Sequence, residues 1–185
     1  MRRPVKNRNK VKPDFKYNSL LVEKFINYIM ESGKKNAARK ILYGTLEDIE
    51  TNLKTNPLEL FENVIKSVGP TMEVRSRRVG GANYQVPMEV RPERKVALAM
   101  RWIKEAASSK KGSPMRKRLF DELVACSKNE GESIKKRDNV HKMAEANRAF
   151  AHFGFSGKNR PRPAAAPREA ATITPSAAAP VAPTV

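Results

Sequence analysis

Apolar residues recur every three to four positions along most of this chain, the period of a helix with one buried face. In Ser19–Glu31, Leu21, Phe25 and Ile29 line up beside Val22 and Ile26, and Gly33 supplies a stop. A second helix is predicted over about 34–54, on the spacing of Ala38, Ile41, Leu42, Thr45, Leu46, Ile49 and Leu53. A third start signal follows in Asn56-Pro57-Leu58-Glu59: Asn suits the cap, Pro the first helical position and Glu the third. Leu60, Phe61, Val64, Ile65 and Val68 continue this helix until Gly69-Pro70 ends it.

The period then drops to two. Met72 and Val74 alternate with Glu73 and Arg75. After Gly80-Gly81, Tyr84, Val86, Met88 and Val90 alternate with Gln85, Pro87 and Glu89. This predicts a β-hairpin over 72–90, a ribbon too small to stand alone in water. It must lean on the helices or on a partner. Helical spacing resumes at Pro92, with Val96, Ala99, Trp102, Ile103 and Ala106. Ser113-Pro114 opens a fifth helix with Met115, Leu119, Phe120, Leu123 and Val124. Ser133 or a neighbour opens a sixth, with Ile134, Val140, Met143, Ala144 and Asn147. The fold class is therefore mainly α, a six-helix bundle with a two-stranded β-ribbon arm inserted between helices three and four.

The ends differ from this body. Residues 1–12 hold six basic and no acidic side chains, and 1–18 read as a basic arm ahead of a helical domain over 19–153. From about Gly154, Ala, Pro and Thr dominate through Val185, so 154–185 read as a disordered tail.

Charge turns this architecture toward a partner. The chain carries 37 basic and 19 acidic residues, a formal net charge of +18 over 185 residues. Residues 1–40 contribute +9 and 70–118 another +9, with a block of −3 between them. Such segregation suits a polyanion, nucleic acid before an anionic membrane surface. No apolar run approaches the roughly 20 residues of a membrane span.

Cations also stand where a helix dipole opposes them. Lys34-Lys35 open the second helix, Arg116-Lys117-Arg118 the fifth (just after Lys110-Lys111), and Lys135-Lys136-Arg137 the sixth. A bound phosphate removes the conflict, because it takes both the free N–H groups and the side chains. Arg75, Arg77 and Arg78 crowd one arm of the hairpin, either to contact phosphates and bases or to guard a strand edge. Tyr84 lies on the apolar register, a packing position before a base-stacking one, and Trp102 reads as core. Catalysis finds little footing. His141 and His152 form no pattern, Cys126 stands alone, and Gly80-Gly81 lacks the lysine and spacing of a P-loop. No cofactor or metal site is predicted.

Taken together these residues resemble a known family. Ser19, Leu21, Phe25-Ile26, Gly33-Lys34-Lys35, Ile41-Leu42 and Thr45 match its N-terminal signature. Gly69-Pro70, the Arg-rich hairpin through Tyr84-Gln85-Val86-Pro87, and Arg91-Pro92 match further along. So do Lys136-Arg137-Asp138 and the run His141–Phe150. The chain is similar, over about 1–153, to the bacterial small-ribosomal-subunit protein seven family. The resemblance implies a cytoplasmic structural protein that binds the 3′ major domain of 16S rRNA and starts assembly of the subunit head. It implies a ribbon, with Arg75, Arg77, Arg78, Gly80, Gly81 and Tyr84, near the exit-site tRNA and the mRNA, beside neighbouring head and platform proteins. It implies that Arg2, Arg3, Lys6, Arg8 and Lys10 of the arm grip rRNA with Lys34, Lys35, Lys110, Lys111, Arg116, Lys117 and Arg118. Lys136 and Arg137 join them as a basic helix start. The Ala/Pro tail departs from the family, whose chains end soon after the last helix.

An architectural DNA-binding protein is the competing reading, its β-arm entering a minor groove. It calls for an apolar wedge at the arm tip and a dimer core. The tip here is Val79-Gly80-Gly81-Ala82, and no coiled-coil seam is visible.

Overall fold

The computed structural model describes residues 11–155; the arm residues 1–10 and the tail residues 156–185 lie outside the described part. The described residues form six α-helices: α1 Leu20–Ile29, α2 Lys35–Leu53, α3 Pro57–Val68, α4 Pro92–Ser109, α5 Met115–Ser127 and α6 Glu132–Ala146. Strands β1 Met72–Val79 and β2 Ala82–Glu89 stand between α3 and α4. A 3-10 segment, Arg148–Phe155, follows α6. The sequence pattern missed it, because its three phenylalanines at 150, 153 and 155 fit no single helical period.

The local signals act as their chemistry requires. Asn56 caps α3, its Oδ1 accepting the Leu58 N–H at 3.1 Å, with Pro57 in the first turn. Helix α1 stops at Ile29, two residues short of the predicted Glu31, and Ser32 and Gly33 turn the chain with positive φ. Lys54 ends α2 in the left-handed region.

The core lies where the apolar stripes of the helices meet. Phe25 and Ile26 of α1, Leu42 and Leu46 of α2, and Phe61 of α3 are almost wholly buried. Met100 and Ile103 of α4 and Leu119 and Leu123 of α5 complete it. The Phe25 and Phe61 rings sit 5.2 Å apart in a tilted pair. Trp102 is in this core, as its spacing predicts. Helix α6 contributes less than its pattern suggests: Ile134 and Ala144 are buried, but Met143 is 54% exposed.

The ribbon pairs antiparallel from Met72↔Glu89 to Val79↔Ala82. Gly80 and Gly81 close it in two residues with φ of +57° and +92°, the geometry of the turn that matches strand twist. Its root departs from the predicted alternation. Glu73 is buried, whereas Met72 is 36% exposed. The Glu73 carboxylate accepts from Nε of Arg94 on α4 and from Nε of Arg75, both at 2.6 Å. Paired twice in this way, a charge becomes tolerable at a buried position. Val86 and Pro87 on β2 are also buried.

Candidate nucleic-acid interface

The helix starts divide into two kinds. At α6 an anion is already present within the protein. Glu122 of α5 is fully buried, and its Oε1 accepts the Ser133 N–H at 3.0 Å and the Ser133 hydroxyl at 2.8 Å. Glu132 stands in the first turn, which shifts Lys135, Lys136 and Arg137 beyond it. Lys136 then pairs with Glu105 at 2.6 Å, and Arg137 pairs with Asp138 and donates to the Ser67 carbonyl at 2.8 Å. The predicted dipole conflict is thus absent at α6.

At α2 and α5 it persists. Neither helix has a side-chain cap, and neither has an acidic residue in its first turn. Lys35 faces inward to Glu23 of α1, but Lys34 is exposed and has no ion-pair partner among the described residues. On α5, Arg116 makes two bonds to Asp48 of α2, Nε to Oδ2 and Nη2 to Oδ1, each 2.6 Å. These bonds hold the Asp48 carboxyl below its usual range. The guanidinium lies so close to α2 that a Cβ on Gly44 would stand 2.7 Å from Nε. Arg118 donates to the carbonyls of Ser108 and Lys110, closing the end of α4. Lys110 pairs with Glu122 at 2.8 Å. Lys111 and Lys117 are exposed and unpaired among the described residues. The 110–118 cluster therefore contains fixed members and free ones. The fixed members set the shape of the loop from which Lys111 and Lys117 project.

The ribbon shows the same division. Arg75 is tied to Glu73 and Arg77 donates to the Phe153 carbonyl, while Arg78 is exposed and unpaired among the described residues. Tyr84 is a packing residue: its ring centroid lies 5.3 Å from that of Phe150 and 5.1 Å from that of Phe153. The 3-10 segment thus supplies the support that the ribbon needs. His141 of α6 adds another tie, its Nε2 accepting the Thr71 N–H at 3.1 Å just before β1. Phe150, Phe153, His141 and Gly44 were not singled out as supports by their spacing, since each works only through a distant partner. Arg2, Arg3, Lys6, Arg8 and Lys10 lie outside the described residues.

Among the described residues, no cluster of three or more His, Cys, Asp or Glu is placed to hold a metal ion, and no helix is long and apolar enough to cross a membrane. Burial raises the Cys126 thiol to about 12, with the Glu122 charge beside it adding to the effect, so it is no nucleophile at neutral pH. What the surface offers is a set of exposed cations spread over several elements, a pattern suited to holding phosphates from several sides.

Known proteins are similar to this chain in sequence. A profile described as Ribosomal protein S7p/S5e matches residues 1–148. The small ribosomal subunit protein uS7 of Methylibium petroleiphilum is 53% identical over 154 residues, covering 83% of this chain and 98% of that protein. The uS7 protein of Thermotoga neapolitana is 50% identical over 153 residues, covering 83% and 99%. That of Burkholderia mallei is 53% identical over 154 residues. The matched relatives are thus covered almost end to end, and on the profile and these identities together the chain belongs to the ribosomal protein S7p/S5e family.

Proposed function

We propose that this chain is a structural rRNA-binding protein of the small ribosomal subunit, working in the cytoplasm without catalysis or cofactor. It binds the 3′ major domain of 16S rRNA and nucleates assembly of the subunit head. The helical domain over 19–153 carries the grip, and the arm over 1–18 extends it. The ribbon reaches toward the exit-site tRNA and the mRNA, among neighbouring head and platform proteins.

One observation carries this reading within the family: Lys34, Arg78, Lys111 and Lys117 are exposed and free of ion pairs among the described residues, each on a different turn, strand or helix start. Folded RNA is held through its backbone and shape, which requires cations on several sides rather than one reading helix. The architectural DNA reading gains nothing from the ribbon tip, where two glycines offer no wedge to part a base step.

Filter binding at fixed salt tests the proposal. A folded transcript of the 16S 3′ major domain should bind tightly, and duplex DNA of equal length only weakly. Equal affinity for the two would refute it.

A further inference from the structure

We propose that Phe15 is a stacking platform for one unpaired RNA base, presented by a turn that Asp14 locks against α2. The proposal rests on the rRNA-binding reading above and names a contact within it.

Phe15 is 100% exposed, the most exposed of the large apolar side chains among the described residues. Its neighbours are not. Asp14 is 3% exposed, and its Oδ2 accepts the N–H groups of Lys16 and Tyr17 at 3.1 and 3.2 Å. The Tyr43 hydroxyl of α2 donates to Oδ1 at 2.5 Å. The Asp14 N–H reaches the Ser19 carbonyl at 3.3 Å, closing the turn onto the start of α1. Tyr17 packs edge-on against Tyr43 with centroids 6.0 Å apart, and Lys16 reaches Glu47 at 2.5 Å. Every residue of the turn is therefore tied to the helical body except Phe15, whose ring is left in solvent.

The surroundings select the occupant. Val11, Pro13 and Leu20 nearby in the chain are also exposed, but lysines at 12 and 16 flank the ring, in the first block of the chain with its net +9. Lys12 is exposed with no ion-pair partner among the described residues. A flat ring beside free positive charge matches a base and its phosphate, and phenylalanine, having no polar atom, accepts any base by its π-face. Because the ring is already held out by the turn, binding orders little else.

The test uses the full chain and the 16S 3′ major-domain transcript, with Phe15→Ala, Phe15→Leu and Phe15→Trp. Ala and Leu should each weaken binding by roughly 5- to 150-fold, the range of one lost base stack. Trp should bind at least as well as the parent, and its emission should be quenched by RNA beyond any change from Trp102. The slope of log affinity against log salt should stay at the parent value, since no phosphate contact is removed. Thermal stability should not change. Parent-like binding by Phe15→Ala overturns the proposal, as does parent-like binding by Phe15→Leu, which would reveal a plain apolar contact. Normal RNA binding by Phe15→Ala with failed entry into subunits also overturns it, in favour of a protein neighbour. Failure of the parent chain to prefer the transcript over duplex DNA is a separate result and refutes the underlying RNA reading.

Discussion

Glu122 of α5 receives both the N–H and the hydroxyl of Ser133, so one helix supplies the anion for the start of the next. Burial alone would raise this carboxyl. Lys110 and the two Ser133 donors outweigh it, and the group titrates below its ordinary 4.5. The folded state therefore holds fewer protons than the unfolded one in acid, and stability falls as pH drops below 4.5 toward the folded value. Glu122→Gln should cost roughly 2–3 kcal/mol at neutral pH. It should also reduce the acid-side loss, leaving what Asp48 and Glu73 contribute, both likewise lowered. Urea melts between pH 3 and 7 would show it.

The basic cluster of α5 should separate into grip and scaffold. Lys117→Ala removes an exposed cation, so it should reduce the magnitude of the salt slope of RNA binding by about one and leave the melting temperature alone. Arg118→Ala opens the end of α4 instead, and should cost about 1–2 kcal/mol of stability. Paired binding isotherms and melts distinguish the two effects.

The ribbon should loosen from its far support. Phe153→Ala removes a ring packed on Tyr84 and should lower the opening free energy of ribbon amides by about 1 kcal/mol. Amides in α1 to α3 should keep their protection. Hydrogen exchange read by mass spectrometry makes the comparison.

Cys126 should be silent until the protein unfolds. It is 1% exposed, with its thiol raised to about 12. Ellman's reagent should modify it at least about 10³-fold more slowly in the native protein than in denaturant. Rapid native labelling would mean that α5 opens locally.

The helices were legible because each states its own beginning and face. Asn56-Pro57 and the Leu42, Leu46, Ile49 stripe are local facts, and local facts survive in sequence order. Where a partner far along the chain decides, the pattern misleads. Glu73 reads as outward until Arg94 faces it. Lys136 reads as a conflict with a dipole until Glu105 and the Gly131–Glu132 start are in place. The ribbon reads as unsupported until Phe150 and Phe153 arrive from beyond α6. For the candidate interface, the cationic segments stand openly in the sequence. The pattern does not separate Lys117 from Arg116, because that distinction lies in whether Asp48 is within reach.

The closing turn of the ribbon carries a consequence of handedness. A methyl group placed on Gly80 or Gly81 would meet nothing within 4 Å, so size does not exclude a side chain there. Their φ of +57° and +92° does, at roughly 1–2 kcal/mol for an L-residue. A chemically synthesised chain with D-alanine at either position should keep the ribbon intact, while its L-alanine counterpart strains it. What the tip requires of these two residues is chirality, or the lack of it.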